Sequence, residues 1–188
     1  MTTMKTSIAA LMITVSGAAA FAAGHSAENP MVGGAEMLVE RNIVENAVNS
    51  ADHTTLVAAV QAAGLVDTLQ SEGPFTVFAP VNDAFAALPE GTVESLLLPE
   101  NVDTLTTILT CHVVGASVMS DAIAGMITDA DGTYPVETLG GCVLQATMTD
   151  DMIQLTDENG TVATITIADV MQSNGVIHVI DAVMTPAM

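Results

Sequence analysis

Residues 174–186, NGVIHVIDAVMTP, place one histidine, His178, and one aspartate, Asp181, inside an apolar run of strand-forming residues. An imidazole beside a carboxylate can move a proton or hold a metal, so spacing decides whether chemistry is available here. Side chains alternate along a strand, and residues three apart face opposite sides. His178 and Asp181 therefore cannot act on one substrate from one strand. Cys111 and His112 are adjacent and also diverge, to opposite faces of a strand or by about 100° around a helix. They form no Cys–His dyad with each other. A hydrolase would need a cross-strand pair that the sequence does not locate, and no G-x-S-x-G elbow is present. The histidines, His25, His53, His112 and His178, show no H-x-H or H-E-x-x-H spacing, and the cysteines no C-x-x-C. DADG at 129–132 resembles the start of a calcium loop but lacks the remaining ligands and the closing glutamate, so it reads as a turn. MTDDM at 148–152 reads as strand–turn–strand with core methionines rather than a soft-metal site. No glycine-rich phosphate loop occurs. The expectation is a protein with no catalytic residue, no metal ligand and no cofactor.

The elements that hold these residues begin after an export signal. Lys5 precedes an apolar core from Ile8 to Val15, and small residues follow through Ala20, Phe21 and Ala22. That layout is a secretory leader over residues 1–23, too short in its apolar part to span a bilayer. The 188-residue chain then has room for one domain. It carries 22 acidic residues against two basic ones, Lys5 and Arg41, for a formal net charge of −20. Such a surface repels nucleic acid and anionic lipid. It suits solubility in a salty medium, and a cation-bridged surface is the alternative. Two cysteines in an exported chain suggest a Cys111–Cys142 disulfide, with two buried free thiols as the alternative. The bridge would close a loop of about 31 residues, worth about 3 to 4 kcal/mol.

Residues 24–39 are small and polar and read as a flexible tail. Helical patterning starts at Asn42 with NIVENAVNS. Asp52 stands where it can cap HTTLVAAVQAAG, whose Leu56, Val57, Val60 and Ala63 share a face. LVDTLQ adds a turn. FTVFAP, residues 75–80, alternates as a strand that Pro80 ends. Asn82 is placed to cap NDAFAALP, with Phe85 and Leu88 at helical spacing. TVESLLLP is a turn, and residues 100–114 run as an amphipathic helix into the extended HVVGASV. Beyond Gly132 come five short strands, YPVETL, CVLQATM, MIQLTD, TVATITIADV and GVIHVIDAVM, separated by turn signals such as DENG. Helices early and strands late predict α+β.

GPFTVFAPVNDAF at 73–85 closely resembles the first signature box of the fasciclin domain. CHVV at 111–114 resembles that family's central tyrosine–histidine motif, and SNGVIHVIDAVMTP at 173–186 its second box. The opening helices match as well, so the resemblance covers residues 40–186. It implies an α+β module: a β-sandwich wedge of about seven strands with N-terminal and flanking helices. It makes Phe75, Phe78, Pro80, Asn82, Phe85, His112, Asn174, Gly175, His178 and Asp181 motif residues, with His112 and His178 in structural hydrogen bonds. Two departures stand out. Cys111 replaces the motif's tyrosine, and Val81 replaces a threonine that caps the next helix, leaving Asn82 to cap.

The resemblance implies a secreted or periplasmic, non-enzymatic module for cell adhesion or surface binding. Its expected partner is a surface or matrix protein or glycan, not nucleic acid and without membrane insertion. A single site gains avidity only through weak self-association or a surface. The alternative is a carrier of a small apolar ligand such as a carotenoid. Nine methionines lie beyond the leader, and methionine-rich surfaces adapt to varied apolar ligands.

Overall fold

A computed structural model describes residues 29–187. The leader expected over residues 1–23 lies outside the described residues. The chain begins with a hairpin of β1 (Met31–Val32) and β2 (Ala35–Glu36). Val32 and Met37 enter the core at 3% and 2% exposure, and the Ala51 N–H donates to the Gly33 carbonyl. The flexible tail read over 24–39 is thus corrected from residue 29 onward. Its strands are two residues each, too short to show alternation locally, but these two side chains bury against elements distant in sequence.

Six short helices follow, interrupted by one strand. These are α1 (Ile43–Ala47), α2 (Thr54–Ala62), α3 (Val66–Gln70), β3 (Phe75–Pro80), α4 (Asn82–Ala86), α5 (Thr92–Leu96) and α6 (Val102–Thr110). Asn42 caps α1 in a full capping box with Glu45, each side chain accepting the other's backbone N–H. Next come β4 (Val113–Val114), α7 (Ser120–Asp129) and β5 (Thr133–Glu137). The strands β6 (Val143–Thr149), β7 (Met152–Thr156), β8 (Val162–Gln172) and β9 (Gly175–Ile180) complete the fold. The strand boundaries read from sequence agree to within a few residues. Helix α7 has no counterpart there: SDAIAGMITD carries only Ile123 and Ile127 on its buried side.

The seven longer-range strands form one sheet in the order β4-β3-β9-β8-β7-β6-β5. Only β3 and β9 run parallel; every other neighbouring pair is antiparallel. The 11-residue β8 pairs with β7 at its start and β9 at its end, and its register shifts twice between Ile165 and Val170. Bulges of this kind bend a strand and raise its twist. They fold the sheet so that its two halves face each other, which makes the wedge.

Period-two alternation sends β3 and β9 into two cores. Val77, Ala79, Ile177 and Val179 face the helices, against Leu56, Val60, Leu105 and Ile108. Phe78 and Ile180 face the other way, against Leu144 and Ala146 of β6, Leu155 of β7, and Ile123 and Ile127 of α7. The disulfide between Cys111, which caps the end of α6, and Cys142, just before β6, links the two halves with Cα atoms 5.3 Å apart. Reducing it, or substituting Cys142→Ser, is expected to lower stability by about 3 kcal/mol, because a 31-residue separation is no longer closed in the unfolded chain. Urea unfolding with and without reductant checks this. Unchanged midpoints, or no two-dalton mass shift on reduction, would count against it.

Candidate functional site

The three motif segments meet at one end of the sheet, because β4, β3 and β9 are successive neighbours there. Their polar residues act as struts. His112, 2% exposed, sits just past α6. The Met184 N–H donates to its Nε2 at 3.0 Å, so Nδ1 carries the proton and donates to the Ile108 carbonyl at 2.8 Å. Burial pushes its pKa down to about 4; the Ile108 bond and the charge of Asp157 oppose that only partly.

His178 is fully buried in β9, in register with Phe78, its ring stacked on that phenyl at 5.7 Å. Its tautomer is the reverse. The Asp169 N–H donates to Nδ1 at 3.2 Å, and Nε2 donates to the Val118 carbonyl at 2.9 Å. Burial lowers its pKa, against the Val118 bond and the Asp169 charge. Asp169 lies in the β8 bulge with φ +58° and also accepts from the Ser120 N–H and hydroxyl. The bulge, His178 and the start of α7 are therefore one joint. With four imidazole nitrogens bonded internally, neither His112 nor His178 has a lone pair or proton free for a substrate. His53 is buried as well: Nδ1 meets the Ser50 hydroxyl at 2.8 Å, and Nε2 lies near the Ala79 carbonyl without a hydrogen bond.

The other motif residues serve similar ends. Asn174 accepts from the Ile43 N–H at 3.0 Å and donates to the Leu69 and Ser71 carbonyls at 2.8 and 2.9 Å, joining α1 and α3 to the start of β9. Asp181, just past β9, accepts from the Thr164 N–H at 2.7 Å. Gly175 pairs with Phe75 across the parallel strands. Phe78 is 1% exposed, Pro80 ends β3, and Phe85 is buried on α4.

Asn82 departs from its expected role. It is the first residue of α4 rather than the one before it, and Val81 occupies the cap without a side-chain bond. The Asn82 side-chain Oδ1 instead accepts from the Thr55 N–H at 3.0 Å, and its Nδ2 donates to the Ala51 carbonyl at 2.8 Å. Asn82 thus caps α2, across 27 residues. Asp52 makes no such cap, because residues 51–53 form a 3₁₀ turn ahead of the helix.

Asp157 is a strut the sequence did not reveal. It is 5% exposed and accepts from the Thr161, Asn159 and Thr185 N–H groups at 2.8 to 2.9 Å. The turn signal DENG was visible, but its grip on the C-terminal segment depends on contacts 28 residues away.

The wedge is open between its two edge strands, β4 and β5. There a cleft of about 500 Å³ runs under α7, with Phe78, Val118, Ile123, Met126 and Val136 lining its apolar part. Tyr134, Pro135 and Glu137 of β5 border it, with Thr76, Val114 and Ala116 on the other side. That volume falls in the range of small-molecule sites. Among the described residues no group of three or more His, Cys, Asp or Glu side chains is placed to hold a metal ion. No helix among them is long and apolar enough to cross a membrane.

Fold and struts together define a class: an α+β wedge whose buried polar residues brace the backbone. The chain belongs to the fasciclin domain family, whose profile matches residues 51–186. It is 50% identical over 146 residues to protein sll1483 of Synechocystis, covering 78% of this chain and 74% of that one. It is 34% identical over 145 residues to immunogenic protein MPB70 of Mycobacterium bovis, covering 74% and 66%. Transforming growth factor-beta-induced protein ig-h3 of Sus scrofa is 37% identical over 131 residues, which span 70% of this chain but 17% of that longer one. Among solved structures, a domain pair from the insect cell adhesion molecule Fasciclin I shares the fold, with a TM-score of 0.55 and 24% identity over 67% of this chain and 42% of that one.

Proposed function

We propose that this protein is an exported, non-enzymatic module that attaches to a surface or matrix protein or glycan outside the cytoplasm. The observation that carries this reading is the internal bonding of His112, His178 and Asp157. In a member of the fasciclin family, the groups best suited to chemistry are used to brace the wedge. The leader pattern of residues 1–23 supports export. With 22 acidic residues against two basic ones, divalent cations would modulate such contacts. Beads coated with the mature protein should aggregate or attach to matrix-coated surfaces, and calcium should change the extent. Beads that stay dispersed and unattached, with calcium and with chelator, would overturn this reading.

A second reading, a carrier of a small apolar ligand such as a carotenoid, is supported by the cleft under α7. The chain has one tyrosine and no tryptophan, so its own absorbance is weak and a bound chromophore would dominate the spectrum. A visible band that co-elutes with gently purified protein supports the carrier. A blank spectrum leaves attachment as the function.

A further inference from the structure

We infer that Asn159 is a site of spontaneous covalent modification, a deamidation that unlatches residues 182–187 from the turn between β7 and β8. Among the described residues two asparagines precede a glycine, Asn159 and Asn174. A following glycine matters because it has no Cβ to hinder its amide nitrogen as that atom approaches the asparagine side chain. The two sites differ in their surroundings. Asn174 has both ends of its amide committed, to the Ile43 N–H and to the Leu69 and Ser71 carbonyls, and Gly175 is paired with Phe75 in the sheet. Asn159 stands exposed in its turn, and Gly160 follows with φ +85°.

That turn holds the segment in place. Nδ2 of Asn159 donates to the Thr185 carbonyl at 3.1 Å and to the Thr185 hydroxyl and the Pro186 carbonyl at 3.0 Å. Asp157 accepts from the Thr185 N–H at 2.8 Å, and Glu158 from the Ala187 N–H at 3.0 Å. Beneath the segment, Val183 and Thr185 help to wall an apolar cavity of about 130 Å³ with Phe85, Leu88, Leu105 and Leu109. Loosening the segment opens that space.

In the reaction the Gly160 amide nitrogen gives up its proton to solvent and bonds to Asn159 Cγ. The Cγ–Nδ2 bond breaks, ammonia leaves, and a five-membered succinimide closes. Water then opens the ring at either carbonyl, giving aspartate or isoaspartate, with no oxidation or reduction. In the latched turn the Gly160 N–H donates to the Asp157 carbonyl at 3.1 Å and the segment holds Nδ2, so ring closure waits for a local opening. The product cannot latch again. Its carboxylate has no hydrogen to give the Thr185 and Pro186 carbonyls, and it repels the neighbouring carboxylates of Asp157 and Glu158. Isoaspartate also lengthens the backbone of the turn by one carbon.

The experiment warms the full mature protein near neutral pH for several weeks and locates any gain of about one dalton by peptide mapping. The gain is expected at Asn159 and not at Asn174. Unfolded in urea, both sites should convert, and Asn159 should do so faster than in the folded chain. Hydrogen exchange at the Thr185 and Ala187 amides should run roughly tenfold faster in Asn159→Asp, and in the aged protein, than in fresh wild type, because bonds that hold the segment are lost. Circular dichroism checks the fold of the variant, and aged wild type gives the same reading without a substitution. A gain that appears first at Asn174, or at no asparagine, would overturn the site. Conversion of Asn159 as fast in the folded chain as in urea would overturn the latch, and so would Thr185 and Ala187 amides that stay equally protected after conversion.

Discussion

Acidifying the protein from neutrality to about pH 4 in high salt should lower its unfolding free energy by about 3 kcal/mol through His112 alone. The folded protein holds His112 neutral, and burial moves its pKa from an ordinary 6.5 to about 4. As pH falls through 6.5, the unfolded chain takes up a proton that the folded chain refuses. Acid therefore favours unfolding. The contribution of His112 is complete above about 6.5, declines between there and about 4, and changes no further below. His53 and His178 are shifted in the same direction by the same cause and add to the loss. High salt matters because neutralising a chain of net charge −20 would otherwise relieve self-repulsion and mask the trend. Urea unfolding across this range measures the slope, and His112→Gln should flatten it. Imidazole resonances of the folded wild type supply an independent reading. A His112 that titrates near 6.5 in the folded state would refute the expectation.

Gly175→Ala should be the most disruptive single-methyl change in the sheet. A Cβ at this position would stand 2.1 Å from the Phe75 carbonyl oxygen and 3.0 Å from its nitrogen, both backbone atoms of the parallel partner. No side-chain rotation relieves that contact, so β3 and β9 must separate where Asn174 also anchors α1 and α3. The expected cost is about 3 kcal/mol, at the upper end for overpacking. Gly125→Ala is the contrast. It lies within α7 with nothing within 4 Å of its added Cβ, and should stabilise by about 0.5 to 1 kcal/mol. Denaturant midpoints of the two variants against wild type decide the matter. Equal midpoints would mean that the parallel pair yields easily at Phe75.

Local patterning carried much of this architecture. FTVFAP alternates, ends in proline and is β3 at the expected residues. Its alternation anticipated that Val77 and Phe78 would serve different faces, and they serve different cores. An even pair of cysteines, Cys111 and Cys142, pointed to the bridge that the structure contains. Asn42 with Glu45 is a local device, and the capping box is present.

Where local rules failed, a distant partner had a stronger claim on the residue. Asn82 stands where it could cap the helix it begins, yet its side chain is taken by the Thr55 N–H and the Thr54 hydroxyl at the start of α2. Residues 31–37 form two-residue strands around a glycine pair, too short to show alternation, but Val32 and Met37 reach a core made by α1, α2 and β9. Helix α7 turns Ile123 and Ile127 to the core, and the Ser120–Asp169–His178 joint holds its start.

The α+β class, the order of most elements and the acidic character are legible from periodicity, turn chemistry and composition, which act between near neighbours in the chain. Long-range packing sets the rest. It set the opposite tautomers of His112 and His178, because each depends on a backbone N–H from another segment. It buried Asp157 against the C-terminal segment. It opened the cleft, because bulges in β8 leave β4 and β5 as facing edges with α7 above them. Side-chain periodicity encodes which face a residue takes; which segments those faces meet is fixed by packing across long stretches of chain.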